Sequence, residues 1–465
     1  MKAIHQLNRS STLKILLVGA MFAATSANAA TYADYPVTLK GYTGDATTSV
    51  SYSGQVARHL LHNSLKKAIA SGQGRDVLRR YLDGGDGMLA ILDPVSSESF
   101  AVDYADVNAV SANKNLSGKT YGGLVAGWPG NMTGKEVLAS MVDMAVDTSK
   151  GYDAAHGYDY AQLVSKFTMG AVFYSQACDN YLDEKLDAGV KPNDRPYKDG
   201  AAYTGKEHVW DEAFGYWGAA AHSASLTAKQ NYDIAKKKDA RAADINGDGV
   251  VNLKSEMNYG HAYYAAAFDK GGKTDYFNTI TNAFIEGREI ITAANGEKMS
   301  DRQHRDLRSS ARVICGAWEM VIAEAVFKYA GSVHKDIEVL NGLTPGGDDH
   351  ANAVRTYAKH WGELKGFALS LTTGGVNLGD IGVKIDRLIG LGPVMPDGTR
   401  VSGMTSAGAY EVAANQSMED YMIDMLRLQK LIAGEFGIKA MNNDQLAGIA
   451  NLSTILGGSE SAEND

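Results

Sequence analysis

EHVWDEAFGYWG occupies residues 207–218, and a shorter form of the same stretch, KHWGELKGF, returns at residues 359–367. Aligned on the tryptophan, both copies read Trp-x-Glu-x-x-Gly-aromatic. The matching residues are Trp210, Glu212, Gly215 and Tyr216 in the first copy and Trp361, Glu363, Gly366 and Phe367 in the second. Internal duplication of this kind indicates that the chain contains two related halves.

Each copy also carries a histidine close to its acid. Residues three and four positions apart share a face of a helix. If both copies are helical, His208 lies on the same face as Asp211 or Glu212, and His360 lies on the same face as Glu363. Imidazole and carboxylate groups that meet between packed helices suit iron or zinc. We therefore predict a transition-metal site formed by His208, Asp211, Glu212, His360 and Glu363. The alternative is that the aromatic residues form core, the glycines allow close helix packing, and each histidine–acid pair is an ordinary surface pair.

A second metal site is predicted by the loop DINGDGVVNL at residues 244–253. Calcium loops place oxygen ligands at positions 1, 3, 5 and 9, a turn glycine at position 6 and a backbone carbonyl at position 7. The bidentate acid of such loops stands at position 12, where this chain has Ser255, so the acid would be the next residue. The predicted calcium ligands are Asp244, Asn246, Asp248, the carbonyl of Val250, Asn252 and Glu256. The alternative is a solvated turn rich in Asp, Asn and Gly.

The first 29 residues have the features of an export signal. Lys2, Arg9 and Lys14 precede an apolar run at residues 15–24, and Ala27-Asn28-Ala29 is a small-x-small cleavage sequence. The apolar run is too short to span a bilayer. We expect cleavage after Ala29 and a periplasmic or secreted protein without a transmembrane helix.

The charge of the chain argues against a nucleic-acid partner. Without the three basic residues of the leader, 42 Lys and Arg stand against 54 Asp and Glu. An acidic chain with no basic segment interleaved with aromatics is not typical of nucleic-acid binding. The expected partner is a metal ion or metal complex, and a protein of the envelope is a second candidate partner for an exported chain.

The hydrophobic periodicity predicts a mostly α chain. We expect an irregular lead-in over residues 30–53 within a first half at 30–230, a second half at 231–457 that contains the calcium-like loop 244–256, and a disordered tail at 458–465. Cys178 and Cys315 form either a disulfide, as an oxidising compartment permits, or two buried thiols. The predicted helices include 54–70, 134–146, 160–186, 207–219, 226–240, 256–268, 277–294, 301–330, 348–371, 380–391, 418–436 and 444–456.

Four stretches carry a resemblance to a known family: residues 162–176 (QLVSKFTMGAVFYSQ), residues 208–216, the DINGDG loop with Ser255-Glu256, and residues 360–367. Together they resemble an exported bacterial family known as domain of unknown function 4856, which is similar to the imelysins. The resemblance implies a mostly α fold of two pseudo-symmetric helical-bundle halves. Imelysin-like proteins are linked with iron uptake in the bacterial envelope, and the group has also been classed as peptidases.

Three functions follow from these observations. The first is an envelope protein that binds iron, zinc or a metal complex between its halves. The second is a calcium-stabilised interaction protein of the envelope without a transition-metal site. The third is a metallopeptidase in which Glu212 or Glu363 acts as general base on a metal-bound water. His-Glu-x-x-His and Gly-x-Ser-x-Gly sequences are both absent, so the commonest hydrolase signatures are missing.

Overall fold

The computed structural model describes residues 31–373, 378–414, 416–449 and 452. The predicted leader at 1–29, its cleavage site and the predicted tail at 458–465 lie outside these residues. The mostly α prediction is confirmed. The α-helices of the described residues are α1 (Ser53–Ala70), α2 (Arg75–Asp83), α3 (Val107–Val110), α4 (Gly134–Val146), α5 (Tyr160–Thr168), α6 (Gly205–Trp217), α7 (Ala228–Ala235), α8 (Ala240–Ala243), α9 (Gly260–Asp269), α10 (Tyr276–Ala293), α11 (Asp301–Asn341), α12 (Asp348–Leu371), α13 (Asp380–Ile389) and α14 (Met418–Phe436).

Local capping explains where several of these helices begin. The hydroxyl of Thr204 accepts the backbone N–H of Glu207, whose carboxylate accepts the N–H of Thr204. This capping box fixes the start of α6, the helix that carries the first copy of the repeat. Ser300 and Gln303 form the same arrangement at the start of α11.

The long helix predicted over residues 160–186 is present in a modified form. Helix α5 continues directly into a π-helix at Met169–Tyr181, and a 3₁₀ turn follows at Glu184–Leu186. Gly170, the second residue of the π-helix, lies so close to α12 that a Cβ there would meet the Cβ of Ser370 at 2.3 Å. The wider turns of a π-helix are typical of functional or strained segments.

Two small hairpins interrupt the helical chain. Strands β1 (Tyr152–Asp153) and β2 (Tyr158–Asp159) pair just before α5, and β3 (Thr399–Met404) pairs with β4 (Tyr410–Ala414) before α14. Both pairs are antiparallel, and the second has a register shift between Val401 and Gly403. The predicted helix at 444–456 is wrong over residues 444–449, which are irregular. There the N–H groups of Gln445 and Leu446 donate to side-chain oxygens instead of to a helical ladder.

The repeat glycines allow close approach between helices, as the alternative interpretation of the repeat expects. A Cβ on Gly215 of α6 would lie 2.8 Å from the Cβ of Gln55 on α1. A Cβ on Gly366 of α12 would lie 2.5 Å from the Cβ of Lys166 on α5. Only a hydrogen fits at these two positions, so both copies of the repeat lie at tight helix crossings.

The core is one continuous set of buried apolar side chains that includes residues from 32 to 440. The long helix α11 packs against α10, α12 and α14, while α6 packs against α1, α10 and the π-helix. Cys178 and Cys315 are bonded to each other, with Cα atoms 5.7 Å apart, so the π-helix is tied covalently to α11. The disulfide is therefore the alternative that the structure adopts. The pseudo-symmetry and the boundary between the two halves remain predictions.

Candidate functional site

The first copy of the repeat contains a buried ion network rather than a free carboxylate at residue 211. The Arg288 side chain donates from Nε to Oδ1 of Asp211 (3.0 Å) and from Nη1 to Oε1 of Glu207 (3.2 Å). The remaining oxygen of Asp211 accepts the backbone N–H of Ser51 at 3.0 Å, and Tyr32 also donates to this carboxylate. Asp211 and Arg288 thus fasten the lead-in segment to α6 and α10.

Burial affects the titration of this network. It raises the pKa of Asp211 to about 6, although the Arg288 charge and the N–H of Ser51 oppose that rise. Both partners of the ion pair have 0% exposed side chains. A buried carboxylate in this setting depends on its counter-charge, and removing one partner leaves the other unpaired in the core.

His208 and Glu212, the other two residues predicted in the first copy, lie next to each other. The imidazole Nε2 is 3.6 Å from Oε2 of Glu212, and Oε1 of Glu212 accepts the Gln55 amide at 2.8 Å. The His208 ring contacts Tyr197 and stacks on Tyr203, with centroid distances of 4.1 and 4.6 Å. Burial lowers the pKa of His208, Glu212 opposes this, and nearby lysines lower it further.

The second copy has different neighbours. His360 Nδ1 lies 2.6 Å from Oδ2 of Asp336, not beside Glu363. Glu363 accepts the Tyr329 hydroxyl at 3.1 Å, and Lys166 Nζ is 3.7 Å from the same carboxylate. Burial alone would raise the pKa of Glu363, but Lys166 and other nearby positive groups hold that pKa below its ordinary value.

The two copies therefore have separate partners on separate helices. Within residues 31–373, 378–414, 416–449 and 452, no group of three or more His, Cys, Asp and Glu side chains is placed so that it could hold a metal ion. The structure brings His208 to Glu212, and places Asp211, His360 and Glu363 each against another partner. The five-residue transition-metal site remains a prediction.

The loop at 244–256 is held by hydrogen bonds from its backbone to its own side chains. Asp244 accepts the N–H groups of Gly247, Asp248 and Gly249, through one carboxylate oxygen or the other. Asn246 Oδ1 accepts from Asp248 at 2.9 Å, and Asp248 Oδ1 accepts from Val250 at 2.8 Å. The side-chain oxygens at positions 1, 3 and 5 thus all accept hydrogen bonds from the backbone of the turn. Gly249, at position 6, has φ +87°, a conformation that other residues rarely adopt.

Glu256 lies beside this loop although it is one position late. Its carboxylate accepts the Asn252 N–H at 2.7 Å and is buried, with 3% of the residue exposed. Burial raises the pKa of Glu256, two backbone N–H groups oppose this, and the charge of Asp244 raises it further. Asp244 and Glu256 are therefore close enough to repel each other.

Sequence analysis missed a further acid at this loop. Asp103 Oδ1 accepts the Leu253 N–H at 3.0 Å, and the backbone of Val251 exchanges hydrogen bonds with Ala101 and Asp103. Burial raises the pKa of Asp103, and the charge of Asp248 adds to that rise. Asp103 lies far away in the sequence and has no motif of its own, so only the fold places it here.

Three buried histidines were also missed. His59 and His62 are on α1 and His261 is on α9, and burial lowers the pKa of each of them. His59 Nε2 lies 3.0 Å from the Gly215 carbonyl and His62 Nε2 lies 2.9 Å from the Ser165 carbonyl. The spacing of His59 and His62, three apart on a helix, is a signal that sequence analysis could have used.

Comparison with known proteins identifies the central part of the chain. Residues 130–317 match the family described as Domain of unknown function (DUF4856). This segment includes α6, the calcium-like loop and both cysteines. No curated protein and no solved structure matches the chain. In the part of the chain that the structure describes, every helix is too short or too polar to cross a membrane.

Proposed function

We propose that this chain, whose residues 130–317 match the DUF4856 family, is an exported helical binding protein stabilised by calcium at the loop 244–256. The observation that carries the proposal is the turn in which Asp244, Asn246 and Asp248 accept backbone N–H groups, with the buried Glu256 bonded to the N–H of Asn252 in the same loop. Asn252 and the carbonyl of Val250 complete the proposed ligand set. Calcium would offset the repulsion between the negative charges of Asp244 and Glu256 and would fix the conformation of this turn.

The role proposed for the ion is structural. Val251, in the middle of the loop, pairs through its backbone with residues 101–103. A fixed loop therefore holds a distant segment of the chain in place. Export is supported by the Cys178–Cys315 disulfide, because such bonds persist in oxidising compartments.

Calcium titration of the mature chain tests this proposal. Extracellular modules bind calcium with Kd of about 10⁻⁴–10⁻³ M. At 2 mM calcium such a Kd adds about 0.6–1.8 kcal/mol to the free energy of unfolding, so the melting temperature rises relative to EDTA. Asp244→Ala should abolish the rise. Asp233→Ala, which removes an acid that pairs with Lys229 on α7, should keep it.

A wild-type protein whose melting temperature and heat of titration do not respond to calcium would leave the loop as a solvated turn. An equal response in Asp244→Ala would place the ion elsewhere on the chain.

The proximity of His208 to Glu212 favours a second candidate, binding of iron or zinc at this pair. The other proposed ligands, Asp211, His360 and Glu363, would have to leave their present partners. Elemental analysis of protein purified without chelator tests this candidate, beside the His208→Ala/His360→Ala double variant. Iron or zinc that is present in wild type and absent from the variant supports it, and calcium alone in both contradicts it.

A further inference from the structure

A cluster of basic side chains surrounds Glu212 in this otherwise acidic chain. Burial lowers the pKa of Lys114, Lys119 and Lys185, and the charge of Glu212 opposes this effect at each of them. Ring contacts bring several cations together here. Lys185 lies on Tyr181, which stacks on Tyr216, and the Arg58 guanidinium lies 6.0 Å from the centroid of the Tyr216 ring. Lys191 lies on Tyr197, whose ring contacts His208 beside Glu212. The cationic cluster consists of Arg58, Lys114, Lys119, Lys185, Lys191 and Lys198.

Several of these cations are held by carbonyl oxygens and aromatic faces. Arg58, with 7% of its surface exposed, donates to the Asn115 carbonyl at 2.9 Å. Lys185 Nζ lies 4.1 Å from the centroid of the Tyr181 ring, and Lys191 Nζ lies 4.3 Å from that of Tyr197. Such contacts orient a positive charge without neutralising it.

The cluster has more positive than negative charge. Among the described residues, no carboxylate oxygen lies within 4.0 Å of a charged nitrogen of the six cations. The acid that acts on Lys114, Lys119 and Lys185 is Glu212, joined at Lys185 by Glu184. Burial and repulsion from neighbouring cations lower the pKa of Lys114, Lys119 and Lys185. A bound anion would relieve this repulsion.

We infer that the cationic cluster binds a small ligand that carries two or more carboxylate or phosphate groups. Lysines act on the oxygens of either group as point charges, and the buried Arg58 adds a further positive charge. Tyr197 and Tyr203, which flank His208, are partly exposed and offer ring faces to the carbon skeleton of such a ligand. This inference goes beyond the proposed function, since it concerns an anion and not a metal cation.

Calorimetric titration tests the inference with two weakly chelating probes, tricarballylate for carboxylates and fructose 1,6-bisphosphate for phosphates. The full mature chain should bind one of them, more weakly as salt rises from 50 to 300 mM, and the preferred probe identifies the anionic group. Lys114→Gln/Lys198→Gln should weaken that binding by about tenfold or more, because each opposite charge contributes strongly near the site. Lys270→Gln is the matched control, since Lys270 also lies on a tyrosine ring, 3.8 Å from the centroid of Tyr232, but outside the cluster.

Glu212→Gln separates this inference from the transition-metal candidate. The substitution keeps an acceptor for Gln55 but removes the negative charge at the centre of the cluster. Anion binding should tighten about fivefold, whereas a metal site at His208 and Glu212 would lose affinity. Melting temperatures of the variants near that of wild type establish that they are folded.

The inference is overturned if neither probe binds at millimolar concentration, if Lys270→Gln weakens binding as much as the double variant, or if Glu212→Gln weakens it. Loss of iron or zinc in Glu212→Gln without any anion binding would leave the metal candidate standing alone.

Discussion

The guanidinium of Arg288 and the carboxylate of Asp211 form an ion pair 3.0 Å long in which neither side chain is exposed. The same guanidinium also binds Glu207 and Ser49. Two helices and the lead-in segment thus meet at a single buried cation. Asp211 has a clear structural role there, although its position in the repeat predicted a metal ligand.

Replacing Arg288 by methionine should lower the free energy of unfolding by about 3–5 kcal/mol, because Asp211 and Glu207 would be left buried without a counter-charge. Urea denaturation measures this change. Arg305→Met, which alters an exposed arginine on α11, should have little effect. The triple variant Arg288→Met/Glu207→Gln/Asp211→Asn should recover part of the loss, and failure to recover any would show that charge is not the cause.

Stability should fall as the pH decreases below about 6.5. Burial lowers the pKa of His59 and of His62 from 6.5 to about 3. Between these values the unfolded chain binds a proton that the folded chain does not, so stability is lost as pH falls, by about 2 kcal/mol for each histidine at pH 5. Asp211 has the opposite effect on stability. Because its pKa is raised to about 6 in the folded state, the folded chain binds this proton at a higher pH than the unfolded chain, and stability rises as pH falls.

Comparison of variants isolates the histidine contribution. His59→Gln should reduce the slope of the unfolding free energy against pH by about 1.4 kcal/mol per unit between pH 6 and 4. His350→Gln, on the partly exposed start of α12, is the control. Equal slopes in wild type and His59→Gln would contradict a neutral buried histidine.

Gly215→Ala and Gly366→Ala should each destabilise the protein by about 1–3 kcal/mol, the range for overpacking a tight contact. The new methyl groups would meet Gln55 Cβ at 2.8 Å and Lys166 Cβ at 2.5 Å. Gly434→Ala is a matched control in α14, where an added Cβ has no neighbour within 4 Å. It should stabilise by up to about 1 kcal/mol through helix propensity alone. Thermal unfolding should show a lower melting temperature than wild type for Gly215→Ala and Gly366→Ala and an equal or higher one for Gly434→Ala.

Cys178→Ala/Cys315→Ala should cost about 2–5 kcal/mol. The bond joins residues 137 positions apart, so its loss frees a long segment of the unfolded chain. Guanidinium denaturation of the double variant, beside wild type with and without reductant, gives the value. A reductant that further destabilises the double variant would point to a cause other than this bond.

Local patterns predicted most of the helices because amphipathic spacing and caps act over a few residues. The structure reproduces the predicted bounds of α4, α12 and α14. The hairpin of β3 and β4 was missed, because each strand is short and its pattern does not exclude a loop. Helix α2, between Gly74 and Gly84, was also missed.

The candidate site could be predicted only in part. Pairing of His208 with Glu212 follows from helical spacing, and the hydrogen-bonded turn at 244–248 follows from a local motif. The partner of Asp211 is 77 residues away and that of His360 is 24 residues away, on other helices. Spacing within one helix cannot reveal such partners. The cationic cluster was missed for the same reason, since its members come from several separate segments.

The disulfide also determines whether proteolytic cleavage of the calcium-like loop would divide the protein into two molecules. Residues 245–249 of the calcium-like loop are exposed and lie within the stretch of chain that Cys178 and Cys315 close into a ring. Exposed loop tips are preferred sites of cleavage. A cut there would open the ring without releasing either piece, so the nicked protein would remain one molecule and would separate into two polypeptides only on reduction.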